Sequence, residues 1–253
     1  MSILVSRCAR LLAATLMVVT ALIASPAQAA APARDVGTQA QSPGRFLEID
    51  YQGRLKQWNH VNGVWTPTTL GSGWGPESTR LITSLDDAHF LEITAAGGLS
   101  EWTWTGSTYV ESVQGSGWGA TRLLTGLGPN SFLEVESGGL SRWTRSGGVW
   151  SETFVGYGWT TSSTVAIAGL SHGDFVEATG TGGLSEWFSN GVGYDEYVRH
   201  VSAMSGTRLL AGLTPTHFVE VSDDGYLWQW FWESGQWAFH YVGDGWNNAR
   251  LLG

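Results

Sequence analysis

A chain of 253 residues is long enough to bury a substantial core in one or two domains. Its 22 Asp and Glu residues outnumber its 13 Lys and Arg residues, for a net charge of −9. This acidity disfavours a nucleic-acid backbone or an anionic membrane surface as partner. The only cysteine is Cys8, so the rest of the chain can form no disulfide, cysteine metal site or cysteine nucleophile.

Residues 1–29 have the features of a secretory signal peptide. Arg7 and Arg10 precede an apolar run over residues 11–24, and a small-residue cleavage signature ends at Ala29. An uncleaved membrane anchor is the alternative, but the run is shorter than the roughly 20 residues that a spanning helix needs. The sequence therefore predicts a secreted, extracellular protein without membrane insertion.

Residues 30–44 are small, contain proline and show no periodicity, so they predict a disordered linker. From residue 45 onward the sequence repeats itself. A Phe-(Leu/Val)-Glu phrase recurs after steps of 44, 42, 43 and 43 residues, and its copies begin at Phe46, Phe90, Phe132, Phe175 and Phe218. Five copies of one unit are therefore present.

Other landmarks keep their spacing within each copy. A Gly-rich turn is followed by a tryptophan, at Trp58, Trp102, Trp143, Trp187 and Trp230, and seven residues later by a second aromatic, at Trp65, Tyr109, Trp150, Tyr194 and Trp237. A Gly-x-Gly-Trp turn then contains Trp74, Trp118, Trp159 and Trp246, and the fourth copy has Met204 instead. Each copy closes on an apolar phrase that begins at Arg80, Arg122, Val165, Arg208 or Arg250.

Each copy holds about four short alternating segments separated by turn residues, with no amphipathic helical stretch. A unit of four strands in about 43 residues has the size of a propeller blade. A β-solenoid would need much shorter repeats, and leucine-rich or helical repeats would need a helix or turn in every unit. Residues 45–253 therefore predict an all-β fold, a five-bladed β-propeller of four-stranded antiparallel blades. Three strands are left over at the front of this range and one at its end, so the C-terminal strand is expected to complete the N-terminal blade.

The repeated phrase also predicts the core. Phe132 and Glu134 should share one face of their strand and Leu133 and Val135 the other, with both faces covered by neighbouring blades. The strand tryptophans are interpreted mainly as packing residues.

The five repeated glutamates have equivalent places, which does not suit catalysis by two unlike carboxyl groups. We expect them to form ion pairs with the arginines of the neighbouring strand. The expected pairs are Arg250–Glu48, Arg80–Glu92, Arg122–Glu134 and Arg208–Glu220, with Glu177 left unpaired because Val165 stands in place of its arginine.

The Gly-x-Gly-Trp turns are the candidate carbohydrate-binding residues, at Trp74, Trp118, Trp159 and Trp246. They fall between the last strand of one blade and the first strand of the next, at the rim of the cleft. An indole offers a flat apolar surface to the C–H face of a sugar ring. The alternative is that these tryptophans only plug the clefts. The histidines lack metal-ligand spacing, so no metal or other cofactor is expected.

The fivefold count, the turns "GSGW" and "GYGW", and the phrase "GPNSFLEVESGGLSRW" resemble the tachylectin family of five-bladed propeller lectins and its bacterial relatives. The resemblance covers residues 45–253 in architecture. It implies multivalent binding of N-acetylated amino sugars such as N-acetylglucosamine, at one shallow site per blade interface and without catalysis. We therefore expect a monomeric lectin whose partners are glycans or polysaccharides.

Two other hypotheses remain open. A glycoside hydrolase or lyase would need unlike acids that converge on the propeller channel, and the acids unique to one copy mostly fall in apparent turns. These acids are Asp86, Asp87, Asp195, Glu196, Asp223 and Asp224. A protein-binding scaffold is the third hypothesis.

Overall fold

The computed structural model describes residues 44–253. The predicted signal peptide and the predicted linker, except for Gly44, lie outside the described residues. In chain order the strands are β1 Arg45–Asp50, β2 Arg54–Val61, β3 Val64–Ser72, β4 Thr79–Ser84, β5 His89–Thr94, β6 Gly98–Trp104, β7 Tyr109–Ser116, β8 Thr121–Gly128, β9 Ser131–Glu136, β10 Gly139–Ser146, β11 Val149–Tyr157, β12 Thr164–Gly169, β13 Asp174–Thr179, β14 Leu184–Ser189, β15 Tyr194–His200, β16 Thr207–Thr214, β17 His217–Ser222, β18 Leu227–Glu233, β19 Gln236–Gly243 and β20 Ala249–Leu252. Short 3-10 turns span Trp118–Ala120 and Trp246–Asn248.

The strands form five antiparallel sheets of four strands each. Blade 1 is β20-β1-β2-β3, blade 2 is β4 to β7, blade 3 is β8 to β11, blade 4 is β12 to β15 and blade 5 is β16 to β19. The first strand of each sheet contacts the first strands of its neighbours around a central axis. The predicted five-bladed β-propeller is confirmed.

The ring closes through the C-terminal strand, as the repeat predicted. Strand β20 pairs with β1, and the backbone N–H of Leu47 donates to the carbonyl of Gly253 at 2.7 Å. The N–H of Gly253 returns a bond to the Leu47 carbonyl at 3.0 Å. Blade 1 therefore contains its innermost strand, and no blade has an open inner edge.

Turn chemistry sets the register of the hairpins. Between β2 and β3, Val61 pairs directly with Val64, so only Asn62 and Gly63 make the turn. Their φ angles are 53° and 82°, the left-handed conformation that Asn-Gly adopts in a two-residue hairpin. The outer strand β3 that follows is mostly exposed, whereas β1 is buried on both faces. Three turns join the four strands of blades 2 to 5, and short turns of this kind let the chain fold back within so few residues.

Five hydrophobic clusters fill the spaces between neighbouring blades. Phe132 packs against Leu91 and Ile93 of blade 2, while Leu133 and Val135 face blade 4. The five repeated phenylalanines are fully buried. Each stacks on the tryptophan of its second strand, with ring centroids 5.4 to 6.2 Å apart, and meets the second aromatic edge to face at 4.9 to 5.0 Å. The predicted division of strand faces is confirmed.

The inner strands come very close together at the axis. A Cβ atom added to Gly126 would lie 1.9 Å from the Ser84 carbonyl oxygen, and one on Gly212 would lie 1.7 Å from that of Gly169. The N–H of Gly126 also donates to the Thr83 hydroxyl of the neighbouring inner strand at 2.7 Å. The cavity that remains at the axis has a volume of about 10 Å³. Larger cavities lie in the clefts between blades.

Candidate functional site

The Gly-x-Gly-Trp turns lie in the loops that join the outer strand of one blade to the inner strand of the next. The glycine before the tryptophan has a positive φ, as at Gly117 with 105°. The tryptophan N–H donates to a hairpin glycine of the preceding blade, as from Trp118 to the Gly97 carbonyl at 3.0 Å. Met204 makes the equivalent bond to Gly182 at 2.8 Å, so it occupies the tryptophan position of the fourth turn.

The side chains of the turn tryptophans pack onto the following blade. Trp118, Trp159 and Trp246 are 8%, 6% and 7% exposed. Each of the four turn tryptophans contacts a strand tryptophan. The ring centroids are 5.3 Å apart for Trp74 and Trp102, 4.7 Å for Trp118 and Trp143, 4.7 Å for Trp159 and Trp187, and 4.5 Å for Trp246 and Trp58. This burial is what the plugging alternative expects, and sugar binding by these four residues stays a prediction.

The repeated glutamates accept bonds from a tryptophan and a threonine of their own blade. The indole Nε1 of Trp102 donates to Glu92 Oε2 at 2.7 Å, and the Thr79 hydroxyl donates to Oε1 at 2.6 Å. Glu134, Glu177 and Glu220 repeat this pair of bonds. Burial raises the pKa of Glu92, Glu134, Glu177 and Glu220, although these hydrogen bonds lower it in part.

The predicted Glu–Arg ion pairs are wrong. None of Arg250–Glu48, Arg80–Glu92, Arg122–Glu134 and Arg208–Glu220 forms a salt bridge among the described residues. The physical reason is a β-bulge at the start of each inner strand, between Thr79 and Leu81 in blade 2. A bulge reverses the alternation of faces, so Thr79 faces the glutamate and Arg80 faces the next blade.

The arginines instead bind the backbone of the next turn. Arg122 donates to the carbonyl of Trp159 at 2.8 Å and to that of Thr164 at 2.9 Å. Arg80 reaches the Trp118 carbonyl in the same way. Glu177, expected to be unpaired, has the same threonine and tryptophan partners as the other glutamates.

Blade 1 departs from this arrangement. Ala249 stands at the threonine position, and Glu48 accepts a bond from Lys56 Nζ at 3.0 Å in place of a hydroxyl. Lys56 also lies 3.1 Å from the buried carboxylate of Asp50. The indole of Trp58 still donates to Glu48, at 2.6 Å. A lysine thus replaces the missing hydroxyl beside this buried carboxylate.

One cavity lies between blades 3 and 4, in the space called cleft 3/4 below. It has a volume of about 380 Å³, and its aromatic lining residues are Tyr157, Trp159, Trp187 and Tyr194. Glu177, Asn190 and Val192 also line it, and Tyr157 and Val192 are 82% and 93% exposed. Sequence reasoning found Trp159 but missed Tyr157, although Tyr157 replaces the serine that stands between the glycines in the first two turns.

A second cavity of about 310 Å³ adjoins the first along Val155, Val192 and Tyr194. Arg142 lines it and donates to the His172 carbonyl at 2.9 Å. Burial raises the pKa of Tyr194 to about 12. Its hydroxyl makes no hydrogen bond within residues 44–253. The two adjoining cavities therefore extend cleft 3/4 beyond the pair formed by Trp159 and Trp187.

The acids named in the hydrolase hypothesis do not line the axial cavity, and Glu196 is not unique to its copy, because Glu111 and Glu152 hold the same place in blades 2 and 3. Asp86 accepts bonds from the N–H groups of Ala88 and His89 in a turn, and Glu196 accepts one from the Ser185 hydroxyl at 2.6 Å. The residues that line the axial cavity are uncharged in the described structure. Among residues 44–253, no group of three or more His, Cys, Asp or Glu residues is arranged to hold a metal ion. A helix long and apolar enough to cross a membrane is likewise absent from the described residues.

The architecture defines the class as a five-bladed β-propeller with four-stranded blades. Among solved structures, a symmetrical protein whose de novo evolutionary emergence is shaped by folding constraints matches with a TM-score of 0.61 and 14% identity, over 83% of this chain and 97% of its own. Prp20p from Saccharomyces cerevisiae has a TM-score of 0.42 and 10% identity over 76% of this chain and 59% of its own. U3-55K has a TM-score of 0.44 and 11% identity over 81% and 64%. No protein-family model and no curated protein matches the chain. At 14% identity, the match to the symmetrical protein shows the fold alone.

Proposed function

We propose that the protein is a multivalent carbohydrate-binding protein that binds sugars in the clefts between blades. The observation that supports this most directly is the cavity of about 380 Å³ in cleft 3/4. Ligand pockets for small molecules have volumes of about 300–1,000 Å³ and combine aromatic walls with a few polar groups. Tyr157, Trp159 and Trp187 provide such walls, with Glu177 and Asn190 as polar neighbours.

The preferred ligand in this proposal is an N-acetylated amino sugar such as N-acetylglucosamine. The tachylectin resemblance of the repeats supports this choice. The C–H face of a pyranose ring and the methyl group of an acetamide both suit aromatic surface. Because the faces of Trp159 and Trp187 cover each other in part, the exposed ring of Tyr157 and the indole edges form the contact surface.

Repetition of the cleft is central to the proposal. Trp74, Trp118 and Trp246 occupy the same place in three other clefts. Several weak sites on one rigid ring can engage a polysaccharide together, and a high effective concentration then raises avidity by roughly 10²- to 10⁴-fold. The proposed state is a monomer, because one ring already supplies several sites.

The proposal includes binding without turnover. An axial cavity of about 10 Å³ is too small for a sugar ring, and uncharged residues surround it in the described structure. Carboxylate catalysis of glycosidic bonds needs a pair of acids on either side of the bond. Robust release of reducing sugar from plant or microbial polysaccharides would replace the binding proposal with the hydrolase hypothesis.

Secretion is also part of the proposal, because a glycan-binding protein of this kind acts on extracellular polysaccharides. Expression of the full chain in a secreting bacterium should release a protein whose N terminus lies near Ala30. Amino-terminal sequencing of the released protein measures this directly. Retention of the intact chain in the membrane fraction would contradict it.

A glycan array followed by titration with chitin oligosaccharides tests the site. Tyr157→Ser installs the residue that the first two turns carry, so it should fold normally and weaken binding by roughly 3- to 10-fold through loss of one aromatic wall. Val201→Ser, at a residue 80% exposed and outside the cavity lining, is the matched control and should bind like the wild type. Equal binding by wild type and Tyr157→Ser, or no glycan bound by either, would overturn the proposal.

A further inference from the structure

The outer part of blade 5 lacks a polar pair that blades 2, 3 and 4 share. In those blades a serine of the second strand donates to a glutamate of the outer strand at 2.6 Å, in Ser100–Glu111, Ser141–Glu152 and Ser185–Glu196. In blade 5, Trp228 stands at the serine position and Phe239 at the glutamate position, opposite Trp230. This blade also follows the one turn that has Met204 in place of tryptophan. Cleft 4/5 therefore has its aromatic surface on strands β18 and β19 instead of in the turn.

The aromatic side chains of this cleft stand at steep angles to one another. Trp228 has its ring centroid 5.7 Å from Phe239, 5.6 Å from Tyr241 and 6.5 Å from Tyr226, with interplanar angles of 84°, 69° and 83°. Tyr226, Phe239 and Tyr241 are 40%, 48% and 50% exposed. These are edge-to-face contacts, a usual packing of aromatic pairs, and they leave part of the rings of Tyr226, Phe239 and Tyr241 exposed.

Three of these rings border a cavity of about 260 Å³ that also contains carboxylates. Tyr226, Trp228, Trp230 and Phe239 line it together with Asp223, Asp224 and the buried Glu220. Both oxygens of Glu220 already accept bonds, from the Thr207 hydroxyl at 2.5 Å and the Trp230 indole at 2.7 Å. Asp223 and Asp224 are exposed at the rim, and the described residues that line the cavity include no Lys, Arg or His. The site thus combines aromatic faces with uncompensated negative charge.

We propose that this cavity, the blade 5 pocket, binds the ammonium group of an organic cation. The face of an aromatic ring carries negative potential and attracts a cation within about 6 Å of its centroid, and several rings around one cation strengthen the effect. The carboxylates of Asp223 and Asp224 add a Coulomb attraction that salt screens, because they lie at the surface. A primary amine would also donate hydrogen bonds to these carboxylates, whereas a quaternary amine has no N–H and would be held by the rings and the Coulomb attraction.

A metal ion is a poorer occupant of the same pocket. Calcium takes six to eight oxygen ligands, and of the aromatic residues that line this pocket only Tyr226 carries an oxygen. Within residues 44–253 these acids do not form a group that could hold a metal ion. The pocket therefore suits a bulky, weakly hydrated cation with carbon attached to its nitrogen.

Titration of the full chain by ligand-observed NMR tests the proposal. The probes are choline, glucosamine and the uncharged N-acetylglucosamine. The double variant Trp228→Ser/Phe239→Glu restores the serine and glutamate of blades 2 to 4, so it should fold like them. We expect choline or glucosamine to bind the wild type, and the double variant to bind it roughly 5- to 30-fold more weakly. Asp223→Asn/Asp224→Asn should weaken binding several-fold and reduce its dependence on salt concentration.

Val113→Ser, at an exposed residue of β7 that lines neither pocket, is the control and should leave ammonium binding unchanged. The proposal does not depend on sugar binding in cleft 3/4, because the two pockets share no lining residue. Binding of choline alone would identify the ligand as a quaternary amine, and binding of glucosamine alone would identify it as an amino sugar. Absence of binding by both cations, or equal binding by the wild type and a folded double variant, would overturn the proposal.

Discussion

The guanidinium of Arg122 donates to the backbone carbonyl of Trp159 at 2.8 Å, across the boundary between blade 3 and the turn that leads into blade 4. The same contact joins the arginines of other inner strands to other turns, in Arg80–Trp118, Arg208–Trp246 and Arg250–Trp74. Blade 4 has Val165 at the arginine position, and the turn that follows it has Met204 at the tryptophan position. We call this contact, in which an arginine of one blade binds the turn that leads to the next blade, the arginine clamp. The two exceptions in the repeat, Val165 and Met204, therefore stand at the two ends of the same contact.

Loss of an arginine clamp should destabilise the fold. Arg122→Met removes the donors to the carbonyls of Trp159 and Thr164. A buried carbonyl that loses its partner costs about 1–3 kcal/mol, so the free energy of unfolding should fall by about that amount. Urea denaturation followed by tryptophan fluorescence measures the change.

Val165→Met is the matched control for that experiment, because blade 4 has no arginine at this position. Val165 is 39% exposed, and a substitution there should change the free energy of unfolding by less than about 0.5 kcal/mol. Equal stability of Arg122→Met and Val165→Met would show that the clamp contributes nothing to the turn.

The repeat made the architecture predictable, but not the partners of its charged residues. Period, turn glycines and alternating faces fix five four-stranded blades and the closure by β20. The side to which Arg80 points depends on the bulge between Thr79 and Leu81, and no glycine or proline marks that bulge. One extra residue in a strand exchanges the faces of its neighbours, so the expected Arg80–Glu92 pair became a Thr79–Glu92 bond.

For the candidate site, the sequence predicted the place of the turn tryptophan but not the cavity beside it. The spacing of Gly-x-Gly-Trp located Trp159 in a cleft, because a loop between blades must lie at their rim. The cavity beside it depends on how the turn at residues 190–193 is placed relative to Tyr157, which spacing alone does not give. The blade 5 pocket was not predicted: only Met204 was noted in the sequence as a departure from the repeat there, and strand pairing in the structure placed Trp228 and Phe239.

The repeated glutamates predict a specific pH dependence. Burial raises the pKa of Glu134 above its ordinary value of 4.5, against the hydrogen bonds from Thr121 and Trp143. In the pH range above 4.5 the folded state then holds more protons than the unfolded state, so stability decreases as pH rises through that range. Glu134→Gln cannot ionise and can keep both hydrogen-bond partners.

We therefore expect the decrease in the free energy of unfolding between pH 4.5 and 7.5 to be smaller for Glu134→Gln than for the wild type. Urea denaturation at intervals of half a pH unit provides the measurement. Glu233→Gln, at an exposed residue of β18 in blade 5, is the control and should follow the wild-type curve. Parallel curves for wild type and Glu134→Gln would contradict the raised pKa.

Because the inner strands lie so close together, the addition of a single methyl group to one of their glycines should destabilise the fold. A Cβ atom at Gly169 would lie 1.9 Å from the carbonyl oxygen of Gly126, which belongs to the backbone and cannot move alone. Gly169→Ala should lower the free energy of unfolding by about 3 kcal/mol or prevent folding, as overpacking of a rigid core does. Gly115→Ala is the matched control, because nothing lies within 4 Å of its added Cβ. Thermal unfolding of the two variants should separate them clearly, and equal Tm values would contradict the predicted clash.

Ring closure predicts that residues 246–253 are needed for the whole fold. Within this segment Trp246 packs against Phe46 and Trp58 with ring centroids 5.8 and 4.5 Å apart, and Arg250 donates to the Trp74 carbonyl at 2.5 Å. Removal of residues 246–253 would expose the inner edge of β1 and the cluster beneath it, and an open strand edge invites pairing with another chain. The truncated chain should therefore unfold or form oligomers, as measured by circular dichroism and size-exclusion chromatography with light scattering. Asp244→Ser, just before the segment and matching the serine of the first two turns, should stay folded and monomeric. A truncated protein that is monomeric and as stable as the full chain would refute closure through β20.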